Sequence, residues 1–296
     1  KAALDSKNGG VLETANETVG QYGIRNPLGG VAGWSEVYMN ASLESYLKGY
    51  NDPRIKSYFN LAQDGRDKEG NIIKEVAGVK QLNSIEGEYK GVRQGTGVAD
   101  NRYSTHSQTT ITTGSKIIVM SAAEVWFLRA EAALRNYTSE NVENCYKQGI
   151  TVSFAQWDAS GVSEYLENTN KPAAYVDAFN KKFDAALATD ITPKWDESAT
   201  LEKKLERIIT QKWLALYPEG CEAWAEQRRT GYPELFKVAV NNSSNTINTD
   251  IMIRRVFFNQ DYKTDNKALY DALVSKLGGA DNGGTRLWWD AGGNNF

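Results

Sequence analysis

One amphipathic stretch, residues 200–217, constrains the fold more than any other part of the chain. Its apolar residues recur at helical spacing, and charged residues occupy the opposite side. Pro218 ends the pattern, because proline cannot continue a helix. The stretch therefore predicts a helix whose apolar stripe must be covered by other elements. That stripe consists of Leu201, Leu205, Ile208, Ile209 and Leu216.

A helical hairpin is predicted before this helix. Residues 121–124, Ser-Ala-Ala-Glu, have the spacing of a capping box at a helix start. Apolar and alanine residues then follow at helical spacing, and a break at residues 136–139 leads to a second helix through Cys145 and Ile150. Small alanines favour close packing of the two helices. The hairpin is similar to a tetratricopeptide unit, but one clear copy does not predict a full solenoid.

Further helices are predicted at residues 34–50 and 172–187, through Trp224 to just before Gly231, and at residues 267–277. Residues 77–116 and 238–262 have the composition of long loops with short strands at most. The sequence therefore predicts a mainly α fold of tetratricopeptide-like helical hairpins with long loops and a few short strands. We expect a single unit over residues 1–296, with a loop-rich part at 1–120 and a helical part at 121–296.

Charge and hydropathy exclude several classes of protein. The net charge is −3 and the 34 basic residues are scattered, which argues against a nucleic-acid partner. No apolar run approaches the roughly 20 residues that cross a bilayer. Because the chain starts at Lys1, we expect that a leader or a larger amino-terminal piece precedes it. Cys145 and Cys221 are expected to be buried free thiols on helices, with one disulfide as the alternative.

Catalytic motifs are scarce. His106 is the single histidine, and no zinc-binding His-Glu-x-x-His motif, nucleophile elbow or phosphate loop is present. We therefore expect no cofactor and no metal. Paired carboxylates could still hydrolyse a glycosidic bond, and 37 acidic residues leave that alternative open. None of them stands in a catalytic sequence context.

Aromatic residues in loops point instead to ligand binding. The chain has 8 Trp and 15 Tyr, many of them beside Gly, Asn, Asp or Ser. Exposed rings are costly unless they stack on a partner, and the apolar C–H face of a sugar is one such partner. Asn101 and Arg102 could bond sugar hydroxyls. The alternative is that these side chains only pin the loops down. The candidate ligand contacts are Trp34, Tyr89, Arg93, Tyr103 and His106.

Several segments, in order, resemble signatures of the SusD/RagB-like family, and most closely its SusD-like subgroup. The strongest is the helix at 206–217, followed by a Trp and by Arg-Arg-Thr-Gly-Tyr-Pro at 228–233. The alanine- and glutamate-rich helix at 121–132 is similar to the repeat helix of the family. The other segments are 51–54, Asn-Asp-Pro-Arg; 146–150 with Ser153 and Phe154; Arg254 with Arg255; and 287–290, Leu-Trp-Trp-Asp.

The resemblance implies a non-enzymatic lipoprotein on the extracellular face of the outer membrane. Such a protein captures a nutrient, typically a glycan, above a TonB-dependent (SusC-like) transporter. The chain would be its carboxy-terminal portion, without the amino-terminal repeat helices, and only a lipid anchor outside this chain would attach it to the membrane. The alternatives from the residues are a secreted glycoside hydrolase and a protein-binding helical scaffold.

The signature residues themselves are expected to be architectural. An arginine of the 228–229 pair should pair with an acid such as Glu226. Trp213 and Trp224 are expected in the core, and Trp288 and Trp289 are expected to pack the tail against the body.

Overall fold

The computed structural model describes residues 2–34, 37–76, 78–96, 101–290 and 292–296. Within these ranges the protein is mainly helical, which confirms the predicted fold class. The α-helices are α1 (Pro27–Ala32), α2 (Ala41–Gly49), α3 (Ile55–Tyr58), α4 (Ala122–Leu134), α5 (Val142–Gln156), α6 (Val162–Leu166), α7 (Leu201–Ala215), α8 (Gly220–Thr230), α9 (Asp261–Asp265) and α10 (Lys267–Leu277). Short 3-10 helices lie at Ala2–Leu4, Ser6–Asn8, Ala15–Glu17, Asn101–Tyr103 and Lys181–Phe183.

The strands are short and form two antiparallel pairs. Strand β1 (Val19–Gln21) pairs with β4 (Ile117–Met120), placing Gly20 opposite Ile118. Strand β2 (Glu75–Val76) pairs with β3 (Val79–Lys80). Of these four strands, β3 lies within residues 77–116, one of the two segments expected to hold short strands at most, and the other three lie outside both segments.

The predicted hairpin is α4 and α5, packed closely together and against α7. The Ser121 side chain accepts a hydrogen bond from the Glu124 amide at 3.1 Å, which caps α4. Gly149 sets the distance between the two helices, because a Cβ there would lie 2.8 Å from the Phe127 ring. The sequence thus predicted both the hairpin and its close packing.

The amphipathic stretch at residues 200–217 forms helix α7, as predicted. The Thr200 side chain accepts from the Lys203 amide, and the helix begins at the next residue. Its buried face includes Leu205, Ile208 and Ile209, so these predicted stripe positions lie in the core.

The main core joins the hairpin and α7 to the earlier helices α2 and α3. Buried tyrosines in or directly after these two helices donate their hydroxyl protons to main-chain carbonyls far along the chain. Tyr50 donates to Ile191 at 2.8 Å and Tyr58 to Leu214 at 3.0 Å. The core therefore draws on residues from both sides of residue 120.

The helix predicted at 172–187 is wrong. These residues are irregular apart from the 3-10 turn at Lys181–Phe183. The buried Asp177 carboxylate accepts from the amides of Phe179 and Asn180 at 2.9 Å, which ties the backbone into a turn. Tyr175 and Phe179, expected on one helical face, lie in two separate small clusters.

Three other expectations need correction. The helix predicted at 34–50 begins only at α2, where Asn40 caps it by accepting from the Ser42 amide; residues 35 and 36 lie outside the described ranges. Cys145 is buried, but Cys221 is exposed, and both thiols are free. Trp288 is 93% exposed and does not pack the tail onto the body.

None of the helices described is long and apolar enough to cross a membrane.

Candidate ligand-binding site

A cavity of about 630 Å³ opens along one face of α8. Gly220, Ala223, Trp224 and Gln227 all line it. Their spacing of i, i+3, i+4 and i+7 places them on one side of the helix. Because two of the four are the smallest residues, they leave space beside the Trp224 ring.

The opposite wall is formed by the irregular segment that follows α8. The lining of the cavity as a whole combines apolar side chains with amide and hydroxyl groups. Its apolar members are Leu235, Val238, Val240, Ile247, Met252 and Ile253, with Trp213 from α7. Its polar members are Asn40, Gln94, Asn241, Asn242, Ser243 and Thr249.

The Trp224 ring is held in a fixed orientation. Its indole Nε1 donates to the Ile253 carbonyl at 3.3 Å. The guanidinium carbon of Arg228, one turn further along α8, lies 3.8 Å from the ring centroid. Arg228 in turn donates through Nη1 to the Arg254 carbonyl at 2.9 Å. Trp224 is therefore a positioned wall of the cavity and not a mobile side chain.

Arg93 fixes the opposite wall. Its Nε and Nη2 donate to the Lys237 carbonyl at 3.2 and 3.0 Å. Its Nη1 donates to the carbonyls of Phe183 and Asp184 at 3.1 and 2.9 Å. A single guanidinium thus joins the loop before residue 96 to two other loop segments.

Main-chain hydrogen bonds continue this junction. The Ala239 amide donates to the Gln94 carbonyl at 2.8 Å, and the Val240 amide to the Gly95 carbonyl at 2.9 Å. A side chain at Gly95 would clash, because its Cβ would lie 2.8 Å from the Val240 carbonyl oxygen and the backbone φ is +73°. The close approach of these two segments carries Gln94 to the cavity rim.

Several amides at the rim are available to a ligand. The side chains of Gln94, Gln227 and Asn242 make no hydrogen bond within the part of the chain that the structure describes. Asn241 instead closes its own loop, donating to the Ile247 carbonyl and the Thr249 hydroxyl at 2.8 Å each. Each free amide offers both donors and an acceptor, as a hydroxyl-rich ligand requires.

The described lining contains no carboxylate, histidine or cysteine. Across the described ranges, no group of three or more His, Cys, Asp or Glu side chains could hold a metal ion. The chemistry that this lining offers is therefore aromatic contact and neutral hydrogen bonding.

Two of the residues predicted from sequence meet in a small buried cluster. The centroids of the Tyr103 and His106 rings lie 5.0 Å apart, and His106 also stacks on Phe179. The Tyr103 hydroxyl contacts the Asp177 carboxylate at 3.1 Å. The contacts observed for Tyr103 and His106 are thus with the protein itself.

His106 is only 2% exposed, and neither ring nitrogen has a hydrogen-bond partner in the described part of the chain. Burial, together with the positive charge of Lys90, lowers the His106 pKa to about 3. The imidazole is therefore neutral at physiological pH.

The other predicted residues have different surroundings. Arg93 contacts residues 183 and 184, so it shares the 177–184 segment with Tyr103 and His106. Tyr89 is half-buried against the main core, and burial raises its pKa. Trp34, in the turn after α1, is 68% exposed. The structure brings two of the five, Tyr103 and His106, into contact, and Arg93 contacts the same 177–184 segment at its far end. The ligand role of all five stays a prediction. The Asn101 side chain lies outside the described part.

Sequence analysis missed the cavity itself. Small residues beside Trp224 at helical spacing were a usable signal on α8. The facing wall had no such signal, because it is irregular and is placed by contacts with residues 93–95, more than a hundred positions earlier.

The expected architectural pairing of the Arg-Arg motif is confirmed for Arg229. Its guanidinium donates to both oxygens of Glu131 at 2.7 and 2.6 Å and to both oxygens of Glu226 at 3.2 and 2.7 Å. Because Glu131 belongs to α4, this pairing fastens α8 to the hairpin. Arg228 instead bonds carbonyls and contacts Trp224, so the neighbouring arginines have distinct tasks.

The structure thus combines a helical scaffold with a cavity that has one wall on α8 and one wall built from loops. The chain matches the SusD-like family, described as Susd and RagB outer membrane lipoprotein, over residues 1–290. It therefore belongs to this family, and the resemblance seen in the sequence is confirmed. The family description also agrees with the predicted outer-membrane location. Comparison with curated proteins gives no significant match.

Solved structures of the family superpose closely. A SusD homologue from Bacteroides vulgatus is 46% identical with a TM-score of 0.86, covering 99% of this chain and 57% of that one. A chitin-binding SusD homologue from Flavobacterium johnsoniae is 39% identical with a TM-score of 0.85, covering 97% and 57% respectively. A SusD homologue from Bacteroides thetaiotaomicron is 31% identical with a TM-score of 0.86, covering 99% and 60%. The chain thus spans less than two thirds of these relatives.

Proposed function

We propose that this chain is part of a cell-surface glycan-binding protein and that the α8 cavity is one of its glycan contacts. The observation behind this proposal is the combination of a fixed Trp224 ring with the unpaired amides of Gln94, Gln227 and Asn242 around one cavity. A sugar ring presents apolar C–H groups to an aromatic wall and hydroxyls to amides. A volume of about 630 Å³ lies within the range of small-ligand sites.

A relative supports the ligand class. The Flavobacterium johnsoniae homologue, 39% identical to this chain, is a chitin-binding protein. Chitin is a neutral glycan, and the neutral, amide-rich lining described above suits a ligand of this kind.

The proposed role is capture without cleavage. Hydrolysis of a glycosidic bond requires two carboxyl groups on either side of the bond. The described lining of the cavity offers none, so a ligand held there meets no general acid or base. Members of the family are binding proteins, which supports the same conclusion.

We further propose that the captured glycan is passed to a TonB-dependent, SusC-like transporter in the outer membrane. This step rests on membership of the SusD/RagB lipoprotein family and on no contact within this chain.

Of the residues predicted from sequence, Trp34 offers the most accessible ring, and we propose it as a second stacking surface. Tyr103 and His106 are buried, and Tyr89 is half-buried, so they would reach a ligand only after a loop movement. Arg93 would act indirectly, by holding the wall at Lys237 in place.

A blocking substitution tests the cavity without removing a contact. Ala223→Phe would fill the space beside Trp224, whereas Ala272→Phe adds the same ring on the exposed face of α10. We expect titration calorimetry with chitotetraose, or with a hit from a glycan array, to show at least tenfold weaker binding for Ala223→Phe only. Tenfold corresponds to about 1.4 kcal/mol.

Equal affinities for the two variants would contradict the cavity as a glycan contact. Weaker binding by Trp34→Ala alone would move the site to the α1 turn. Analysing the same mixtures for glycan fragments tests the hydrolase alternative. Released fragments would contradict capture without cleavage.

A further inference from the structure

A second cavity, of about 360 Å³, adjoins the first. The two share Gln227, Leu235 and Met252 in their linings. The second lies between the carboxyl end of α8 and the last residues of the chain. In contrast to the neutral first cavity, its lining is rich in arginine, with Arg228, Arg229, Arg254 and Arg286.

Two of these arginines share one carboxylate. Arg254 binds Asp290 in a bidentate manner, with Nε and Nη2 each 2.7 Å from one carboxylate oxygen. Arg286 donates through Nη1 to the same carboxylate at 2.5 Å. Arg254 and Arg286 together lower the Asp290 pKa against the opposing effect of burial, so the carboxylate is ionised. One negative charge thus faces two positive ones.

Arg228 adds a third positive charge; within the described ranges it forms no ion pair with a carboxylate, although the charge of Asp290 acts on it from nearby. Its guanidinium lies between Trp224, at 3.8 Å, and Trp289, at 5.0 Å, measured to the ring centroids. The bonds it donates go to main-chain carbonyls. Burial, and then the nearby charge of Arg254, lower the Arg228 pKa. An anion beside Arg228 would relieve this repulsion.

Unused donors accompany the excess charge. Within the described ranges, Arg228 Nη2 and both Nε and Nη2 of Arg286 have no acceptor, nor do the amides of Gly292 and Gly293. Both glycines have positive φ, and a Cβ at Gly292 would lie 3.2 Å from the Arg286 guanidinium. Gly292 therefore lies so close to the Arg286 guanidinium that a larger residue there would displace the arginine.

The remaining charged side chains of the lining are accounted for as follows. Arg229 is paired with Glu131 and Glu226, and Lys237 is paired with Asp250. Glu234 also lines the cavity and adds one negative charge to it; burial, followed by the charge of Glu206, raises its pKa.

We propose that this second cavity binds the oxyanion group of an acidic glycan, a carboxylate or a sulfate ester, whose neighbouring ring occupies the Trp224 cavity. The proposal rests on the glycan-binding function proposed above and narrows it to acidic glycans. Forked guanidinium groups match planar and tetrahedral oxyanions, and each charge-assisted bond strengthens binding.

The test compares charged and neutral tetrasaccharides on the same protein. Titration calorimetry would use tetragalacturonate for the carboxylate, a carrageenan tetrasaccharide for the sulfate ester, and chitotetraose as the neutral probe. We expect at least one acidic probe to bind about tenfold more tightly than chitotetraose, which corresponds to about 1.4 kcal/mol. That advantage should shrink as salt is raised, because the contact is electrostatic.

Arg286→Gln is the decisive variant. Asp290 keeps its bidentate partner Arg254 in this variant, so the fold should persist, as thermal unfolding would verify. We expect a tenfold loss for the acidic probe and less than a twofold change for chitotetraose. Arg286→Lys should recover part of the loss, since it restores the charge but not the fork. Lys267→Gln, which removes an exposed cation on α10, is the matched control.

The outcomes separate the two proposals. Binding of chitotetraose that Ala223→Phe abolishes, with no advantage for either acidic probe, overturns the anion site and leaves glycan capture in place. An acidic advantage that Arg286→Gln does not reduce also overturns the anion site. No binding of any probe overturns both proposals together.

Discussion

Two regions of the protein use arginine in opposite ways. In the helical body, which comprises α2 to α5 and α7, Arg54 is fully buried and paired with the equally buried Asp52 at 2.6 Å. Residues 89–96, 175–185 and 235–253 are joined by Arg93 and are called the Arg93-linked loops below. There, within the described ranges, Arg93 donates to three main-chain carbonyls and to no carboxylate. Helices satisfy their own carbonyls, whereas irregular segments need donors from elsewhere. Arginine therefore neutralises a buried charge in one region. In the other it supplies the hydrogen-bond donors that main-chain carbonyls would otherwise find in a helix.

The buried pair also ties elements of the body to each other. Arg54 Nη1 donates to the Ser153 hydroxyl at 2.8 Å, and its guanidinium carbon lies 4.9 Å from the centroid of the Phe154 ring. Both partners belong to α5. One arginine in the short turn before α3 thus connects that helix to the hairpin.

Breaking the buried pair should produce the largest effect. Arg54→Met keeps most of the side-chain volume but leaves Asp52 buried without its cation. We expect a loss of about 3–5 kcal/mol in the free energy of unfolding, measured by urea denaturation. Lys267→Met, which breaks the exposed pair with Asp271, should cost less than about 0.5 kcal/mol. Similar losses for the two variants would contradict the distinction between buried and exposed pairs.

A pH titration of His106, whose ring stacks on Phe179 of the Arg93-linked loops, should show an intermediate effect. The pKa of His106 is about 3 in the folded protein and about 6.5 in the unfolded chain, so only the unfolded state gains a proton between these values. The free energy of unfolding should therefore fall as pH drops below about 6.5, by at most about 1.4 kcal/mol per pH unit. His106→Phe removes this loss, since phenylalanine does not titrate.

The measurement is the difference in unfolding free energy between His106→Phe and the unmodified protein at pH 7.5 and pH 5. It should shift in favour of the variant by about 1–2 kcal/mol at the lower pH. Parallel stability curves for the two proteins would show that His106 is solvated in solution.

Removing the Arg93 guanidinium should have the smallest effect on the free energy of unfolding. Arg93→Gln removes the guanidinium contacts to residues 183, 184 and 237, and we expect a loss of about 1 kcal/mol by urea denaturation. The local effect should be larger than the global one. Hydrogen exchange of the Ala239 and Val240 amides should accelerate, because the wall they belong to loses its anchor. Unchanged exchange there would contradict the role of Arg93 as the support of the cavity wall.

The sequence predicted helices α4, α5, α7 and α10 well and the Arg93-linked loops poorly, for one physical reason. A helix such as α7 or α10 is defined by neighbours three and four positions apart. The spacing of its apolar residues can therefore be recognised within a short stretch of sequence. The α10 prediction, residues 267–277, matches the observed bounds. Residues 172–187 had a plausible apolar face, yet the Asp177 carboxylate bonds nearby amides and the aromatic residues separate into different clusters.

The candidate site was predicted poorly for the same reason, because one of its walls is an irregular segment. Trp224 was expected in the core, and the sequence placed the ligand contacts in residues 34–106 instead. The cavity beside Trp224 forms because residues 235–253 fold back over α8. Arg93 holds this segment through its hydrogen bond to the Lys237 carbonyl. Arg93 was noticed as a polar residue in a loop, but the identity of its partners, main-chain carbonyls of Phe183, Asp184 and Lys237, has no signature in sequence.

The Arg93 junction has a thermodynamic consequence for any ligand of the α8 cavity. Two hydrogen bonds from the Arg93 guanidinium hold the wall at Lys237, and two more anchor the same guanidinium to residues 183 and 184 before a ligand arrives. The conformational entropy of ordering that loop is then lost during folding and not during association. A ligand would enter a pre-organised cavity, so we expect rapid association without a conformational lag and an affinity set mainly by the rate of departure.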